Sequence, residues 1–182
     1  MKTLSLALAA TFGLSATPAT AAVLSVGSPL AHDCYSLAEA RDSGSAALDT
    51  CNRALLQPLD VENRSATLVN RGVIRMRHSD YRGADADFDA AIALQPSLSD
   101  AWLNKGFLRL RDGDGSAALP LIDKALALNV RRPALGYLAR GLAHEQAGQI
   151  DAAYADLRRA RAIEPKWQMP AQELARYRVV ER

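Results

Sequence analysis

The sequence predicts an all-α protein built as a solenoid of antiparallel helix pairs, and three observations support this fold class. Self-similarity comes first: the segments 68–96, 102–130 and 137–165 align with one another without gaps. Each segment carries apolar residues at helical spacing in its second half, separated from its first half by turn-forming residues. Aromatic residues make up only 5% of the chain while alanine is abundant, which favours closely packed helices over a β-sandwich. A repeat of about 34 residues is the signature of stacked supersecondary units.

The first segment of the chain predicts a secretory signal peptide over 1–21. Lys2 supplies a positive start, an apolar run covers 4–14, and Ala19-Thr20-Ala21 follows Pro18 as a small-x-small cleavage site. We expect cleavage after Ala21, with Ala22 as the other choice. The expected location is therefore periplasmic or secreted. No cysteine follows the cleavage site directly, so no lipid anchor is expected, and no later run is apolar enough for membrane insertion.

A flexible leader is predicted over 22–33, followed by a degenerate helical hairpin over 34–64. Ala47, Cys51 and Ala54 reproduce the spacing of a second helix in this hairpin. Cys34 falls 17 residues before Cys51, on the facing helix, and the two are the only cysteines of the chain. Export and an even count predict a disulfide that pins the hairpin. A redox-active pair and two separate buried thiols are the alternatives.

Three full repeats are predicted over 65–98, 99–133 and 134–167, with a capping helix over 168–182. The glycines that anchor the first helices lie 34 and 35 residues apart, and the extra residue falls near Pro133 in a loop. In the second helices, small and large apolar residues follow i, i+4, i+7, i+10 spacing, which gives one apolar stripe per helix. These stripes are Ala84, Phe88, Ala91 and Leu94; Ala118, Ile122, Ala125 and Leu128; and Ala153, Leu157, Ala160 and Ile163.

These positions resemble the tetratricopeptide repeat. The pattern of aromatic residue, glycine, small residue, large apolar residue, alanine and proline reads here Trp102, Gly106, Ala118, Ile122 and Ala125, with Pro96 and Pro165 in the other units. The resemblance covers about residues 65 to 167. It implies a right-handed α-solenoid whose first helices line a concave groove, and a non-enzymatic scaffold that binds a protein or peptide partner in the cell envelope.

A charged residue precedes each anchoring glycine where the family usually has an apolar one. Arg71 and Arg140 are each followed sixteen residues later by an aspartate, Asp87 and Asp156, whereas Lys105 is followed by a leucine. This co-occurrence predicts ion pairs between the two helices of the first and third units. A lysine can instead extend its ammonium group to water.

The family frame also predicts a largely apolar groove with a basic edge. Asparagines in it are expected to bond the backbone of an amphipathic helix or an extended peptide. The chain's own leader at 23–30, the capping helix or a second copy in a homodimer could cover the groove instead. The predicted groove residues are Val69, Asn70, Val73, Met76, Arg77, Leu103, Asn104, Phe107, Leu110, Arg111, Leu138, Leu142 and Glu145.

Catalytic and cofactor motifs are not apparent in the sequence. His32, His78 and His144 do not share metal-ligand spacing, so no metal site or other cofactor is expected. No nucleophile has a base placed beside it, which predicts a protein that is not an enzyme. A net charge of +2 provides no strong field for nucleic acid.

Overall fold

The computed structural model describes residues 4–8, 21–24, 28–42 and 44–181. These residues form nine helices and one pair of strands, and the predicted all-α solenoid of antiparallel helix pairs is confirmed. The helices are α1 (Pro29–Glu39), α2 (Ser45–Leu55), α3 (Val61–Arg77), α4 (Tyr81–Leu94), α5 (Ser99–Arg111), α6 (Gly115–Ala127), α7 (Pro133–Gln146), α8 (Ile150–Ile163) and α9 (Gln168–Leu174).

The N-terminal hairpin consists of α1 and α2, which the disulfide Cys34–Cys51 joins. This bond is the predicted pairing, and both cysteines are fully buried. The leader is shorter than the predicted 22–33, because α1 already begins at Pro29. Ser28 caps this helix by accepting a hydrogen bond from the Ala31 N–H, and proline is favourable in the first turn.

The repeat units are the pairs α3–α4, α5–α6 and α7–α8. The first unit starts earlier than residue 65, because the Asp60 side chain accepts a hydrogen bond from the Asn63 N–H and begins α3 at Val61. Asp80 and Asp114 cap α4 and α6 in the same way, each bonding the N–H three residues ahead.

The two helices of each unit approach closely where a glycine of the first meets a large side chain of the second. A Cβ on Gly72 would lie 2.5 Å from the Phe88 ring, and one on Gly106 would lie 2.6 Å from Ile122 Cγ1. The alanines of the second-helix stripes are fully buried beside these contacts. The small-and-large alternation seen in the sequence therefore forms one continuous core along the solenoid.

Lys105 differs from the expectation that its ammonium group extends to water. The ammonium contacts carboxylates of the preceding unit, bonding Asp89 and lying 3.6 Å from Asp85. Arg109, one turn later on α5, bonds both oxygens of Asp85 at 3.0 Å. An acidic face of α4 therefore meets a basic face of α5. The sequence analysis compared charged residues only within each unit, and such a comparison cannot detect a contact between two units.

The C-terminal segment also differs from the predicted capping helix over 168–182. Helix α9 ends at Leu174, and Tyr177–Glu181 forms strand β2, which pairs antiparallel with strand β1 at Leu4–Leu8. The two valines after Arg178 favour extended backbone over helix. Strand β1 belongs to the predicted signal peptide, so β2 would lose this partner on cleavage.

Candidate peptide-binding groove

Two asparagines occupy equivalent positions in successive repeats. Asn70 lies on α3 and Asn104 on α5, one repeat of 34 residues apart, and both are fully buried. A primary amide carries one acceptor oxygen and two N–H donors, so it can pair with both polar groups of a backbone residue. Burial makes such pairing necessary, because an unsatisfied amide in the interior is costly.

The backbone that these amides bind is a stretch of the same chain, residues 21–23, which we call the groove segment. The Val23 N–H donates to Asn70 Oδ1 and the Asn70 Nδ2 donates to the Val23 carbonyl, both at 2.7 Å. Asn104 holds Ala21 in the same two-bond manner, at 3.1 and 2.8 Å. The prediction that groove asparagines bond a peptide backbone describes this arrangement, with the chain itself as the peptide.

The spacing of the contacts follows from extended-chain geometry. In an extended backbone the N–H and C=O of one residue point to the same side, and residues two apart repeat that direction. Ala21 and Val23 therefore present their polar groups to Asn104 and Asn70, while Ala22 presents its carbonyl to the other side. Moving from Asn70 in one repeat to Asn104 in the next therefore corresponds to two residues of extended groove segment, which is about 6.6 Å.

Arg131, in the loop before α7, completes the contacts of the groove segment. Its guanidinium donates to the Ala22 carbonyl and, through Nε, to Asp100 Oδ2 at 3.2 Å. Asp100 precedes Asn104 by one helical turn, and its backbone carbonyl accepts a further bond from Asn104 Nδ2 at 2.9 Å. Asp100 and the groove segment therefore share Arg131 and Asn104 as partners.

Asp100 is the least satisfied polar side chain of this site. It is 2% exposed, and its Oδ1 accepts no hydrogen bond from the residues that the structure describes. Burial raises the pKa of the Asp100 carboxyl above its ordinary value, and the Arg131 and Arg132 guanidiniums oppose this rise. One carboxylate oxygen in the groove is thus without a donor.

Most of the predicted groove residues lie in the interior instead of lining an open surface. Val69, Val73, Leu103, Phe107 and Leu138 are at most 2% exposed, and Met76 and Leu110 are also buried. Leu142 is half-buried. The apolar side chains of the first helices pack between units and beneath the groove segment. The side chains of Ala21, Ala22 and Val23 belong to this core, and the backbone of the segment makes the polar contacts to Asn70, Asn104 and Arg131.

The basic edge of the groove is bound within the chain. Arg77 donates to the Ala38 carbonyl at 2.7 Å and so joins α3 to the end of α1. The Arg111 guanidinium lies 3.4 Å from the centroid of the Tyr81 ring. Both arginines therefore have intramolecular contacts that connect neighbouring helices.

The C-terminal segment covers the third repeat. Glu145, a predicted groove residue on α7, accepts hydrogen bonds at 2.7 Å from both Arg176 and the Tyr177 hydroxyl. Tyr177 is buried, and its ring centroid lies 5.6 Å from that of Tyr154 on α8. Burial, followed by the hydrogen bond to Glu145, raises the pKa of Tyr177. The groove is therefore occupied at 21–23 and covered again at Glu145.

A cavity of about 330 Å³ adjoins the groove segment at Val23. Leu24, which follows Val23, is 48% exposed at its edge. The cavity is lined by Val23, Leu24, Glu62, Asn63, Ala66, Gln95 and Leu98.

Three parts of this site were missed by the sequence analysis. Asp100 and Arg131 were not considered, and residues 21 and 22 were placed at the cleavage site, not in the groove. The sequence could have indicated Asp100, since it stands four residues before Asn104 and therefore on the same face of α5. It could not have indicated Arg131, because this residue lies in the loop where the repeat spacing is irregular.

The described part of the chain contains no cluster of three or more potential metal ligands and no helix able to span a membrane. His78 is exposed at the end of α3, and His32 is exposed on α1. His144 Nδ1 lies 2.6 Å from Gln149 Oε1, and its Nε2 lies 3.6 Å from Asp156. Both ring nitrogens of His144 therefore have a polar neighbour within the chain.

Comparison with known proteins shows similarity at the level of the fold. No protein-family model matches the sequence, and neither does any curated protein. MamA 41-end from Desulfovibrio magneticus RS-1 is similar with a TM-score of 0.63 and 21% identity, over 81% of this chain and 82% of that chain. The Arabidopsis OM64 TPR domain is similar with a TM-score of 0.60 and 21% identity, over 64% and 96%. The first TPR domain of human RPAP3 gives a TM-score of 0.58 and 22% identity, over 61% and 87%.

Proposed function

Because the chain has the tetratricopeptide-repeat fold, we propose that it is a non-catalytic protein-interaction module that binds extended peptide backbone in its groove. The observation that supports this most directly is the pairing of Asn70 and Asn104 with Val23 and Ala21. Four hydrogen bonds recognise the main chain alone, so the groove accepts any sequence with side chains small enough to be enclosed beside the asparagines. This mode of recognition resembles strand addition, with side-chain amides in place of a sheet edge.

The groove segment is part of this proposal: after removal of residues 1–21, Ala22 and Val23 remain as an internal ligand that a partner has to displace. A tethered segment competes at the effective concentration set by its short linker, which is of the order of millimolar. A partner peptide therefore needs additional contacts. The cavity beside Leu24 offers an apolar surface for such contacts, with Glu62 at its edge.

The proposed location is the periplasm or the extracellular space, after removal of residues 1–21. The signal sequence supports this location, and the buried disulfide fits an oxidising compartment. Mass measurement of the chain recovered from a periplasmic fraction tests it. Recovery of the unprocessed mass from the cytoplasm alone would contradict export.

Peptide binding is tested with a labelled peptide of the sequence of residues 18–27, added to the exported chain. Val23→Glu places a charge at a residue that is 7% exposed and should unseat the internal segment while the asparagines stay in place. We expect this variant to bind the peptide at least tenfold more tightly than the wild-type chain does, as measured by fluorescence anisotropy. Leu24→Glu is the matched control, because the same change at the exposed neighbour leaves the segment seated.

The asparagines provide the second half of this test. Asn70→Ala and Asn104→Ala, added together to Val23→Glu, should abolish peptide binding, since both backbone pairs are lost. Circular dichroism confirms that each variant remains helical. Equal peptide binding with and without the asparagines would refute backbone recognition in the groove.

Self-assembly is the second candidate function, and the occupied groove favours it. Ala22 and Val23 of one processed copy could occupy the groove of another, which would make the chain a structural subunit. Light scattering coupled to size exclusion distinguishes the two functions. A monomer supports the internal arrangement, and a dimer that Val23→Glu dissociates supports exchange between copies. A charged substitution at Phe107, another predicted groove residue, does not suit this test, since Phe107 is 2% exposed and the charge would disturb the core.

A further inference from the structure

We propose that cleavage after Ala21 creates an α-ammonium group at Ala22 that lies in the groove and pairs with Asp100 Oδ1, the carboxylate oxygen that has no donor among the described residues. The mature N-terminus is then a bound ligand of its own chain. The proposal uses the same groove as the proposed function but needs no outside partner, so its test is independent of peptide binding.

The first step of the argument is the position of the predicted cleavage site. The bond between Ala21 and Ala22 lies inside the groove segment, between two residues that are 3% and 4% exposed. A peptidase hydrolyses this bond with one water molecule before the segment enters the groove, since the bond is inaccessible once both residues are buried. The hydroxyl group of the water adds to the Ala21 carbonyl carbon, whose C–N bond breaks, and the water's remaining proton goes to the departing nitrogen. The Ala21 carboxylic acid leaves with the signal peptide and releases its proton to solvent, and the Ala22 amine takes up a proton from solvent.

The second step is the set of contacts that survives cleavage. Ala22 keeps the bond from Arg131 to its carbonyl, and Val23 keeps both bonds to Asn70. Three hydrogen bonds therefore still hold the first two residues of the processed chain. Asn104 loses both bonds to Ala21, and its amide oxygen becomes free to accept from the ammonium group.

The third step is the partner for the new charge. Arg131 bonds both the Ala22 carbonyl and Asp100 Oδ2, and Asn104 adjoins both Ala21 and Asp100. The carboxylate therefore borders the place where the ammonium appears. Its Oδ1 has no donor among the residues that the structure describes, although Asp100 is almost fully buried. A buried acceptor without a donor is costly, and an ammonium group supplies both the donor and the opposite charge.

The charges around this site favour Asp100 as the partner. Arg131 and Arg132 are the cations that act on Asp100, and neither can accept a hydrogen bond from an ammonium group. The carboxylate of Glu62 belongs to a different part of the groove, because Glu62 lines the cavity beside Val23 and Leu24. Cleavage after Ala22 would place the charge on Val23, next to Asn70 and away from Asp100, and would remove the Arg131 contact.

The test uses the chain as it is exported. Mass spectrometry should give a chain that begins at Ala22. The α-amino pKa is then measured from the pH dependence of trace acylation, with peptide mapping to separate this amine from Lys105, Lys124 and Lys166. An ordinary α-amino group has a pKa of about 7.7–8.0, and a carboxylate at ion-pair distance should raise it by about one to three units.

Two variants separate the ion pair from a general effect of burial. Asp100→Asn keeps the shape of the side chain and should return the α-amino pKa to its ordinary value or below. Asp112→Asn, at the C-cap of the same helix and 43% exposed, should leave the α-amino pKa unchanged. An ordinary pKa in the wild-type chain, a pKa that Asp100→Asn does not lower, or a mature chain that begins elsewhere would each overturn the proposal. The wild-type value alone decides the matter if the variant fails to fold.

Discussion

Arg71 on α3 and Asp87 on α4 form a two-bond ion pair in which Nε lies 3.0 Å from Oδ2 and a terminal nitrogen lies 2.6 Å from Oδ1. Arg140 and Asp156 repeat this geometry in the third unit, at 2.6 and 2.9 Å. The hydrogen bonds that Arg140 donates to Asp156 raise the pKa of Arg140. The parallel-fork geometry suits a planar guanidinium and not an ammonium group. The predicted pairs within the first and third units are therefore confirmed.

Replacement of Asp87 by alanine should destabilise the chain strongly. The Asp87 side chain is 4% exposed and also forms an ion pair with Arg75, whose Nη1 lies 2.8 Å from Oδ2, so its loss leaves two arginines without this partner. We expect the free energy of unfolding to fall by about 3 kcal/mol, as is usual when one member of a buried pair is removed. Denaturant unfolding measures the change.

Two comparisons check this interpretation. The double variant Arg71→Met and Asp87→Leu should lose less stability than Asp87→Ala, since neither charge is then left without its partner. Asp89→Ala is the control, because Asp89 is 57% exposed and its pair with Lys105 should contribute less than about 1 kcal/mol. Equal small losses for all three variants would show that the pair is not effectively buried.

The anchoring glycine of the first unit provides a prediction about packing. A methyl group at Gly72 would overlap the Phe88 ring, whose carbons lie 2.5 to 3.0 Å from the Cβ position. Gly72→Ala should therefore cost about 1–3 kcal/mol from overpacking, partly offset by about 1 kcal/mol of improved helix propensity. Adding Phe88→Leu, which makes room, should give a favourable coupling energy in a double-mutant cycle measured by thermal unfolding. Strictly additive effects would contradict the clash.

The disulfide should stabilise the N-terminal hairpin specifically. Replacement of both Cys34 and Cys51 by serine should lower stability by about 3 kcal/mol in the chain-entropy model, given the separation of 17 residues. The loss should appear as early hydrogen exchange in α1 and α2, which have repeat neighbours on one side only, while α5 to α8 keep their protection. A reductant should reproduce the effect in the wild-type chain and leave the serine variant unaffected. Uniform loss of protection throughout the solenoid would argue against a local role.

The sequence predicted those features that repeat, and it failed where the repeat ends. Asp87 and Asp156 could be paired correctly because the arginine and the aspartate occur together in two units and are both changed in the third. The contacts of Lys105 lie between units, and a comparison within units does not detect them. The sequence predicted an apolar groove that the leader at 23–30, the capping helix or a second copy could cover, but it did not decide between them, because a repeat pattern contains no information about a segment outside the repeats. Residues 21–23 have no helical period, and only their contacts with Asn70 and Asn104 reveal their place.

The pH dependence of stability provides a last prediction, at Asp100. Burial raises the pKa of this carboxyl in the folded chain above the unfolded value of about 3.9. The folded state therefore binds the proton more tightly, and the stability contributed by the protonated form is lost as the pH rises from about 4 through the folded pKa. For the unprocessed chain, made by cell-free synthesis and oxidised, Asp100→Asn should become progressively more stable than the wild type over this interval. Denaturant unfolding at a series of pH values measures the difference, with Asp112→Asn as the control.

In the exported chain the Ala22 ammonium group would favour the charged carboxylate, so the trend should weaken or reverse. A difference that does not depend on pH in the unprocessed chain would contradict the buried, incompletely bonded state of Asp100.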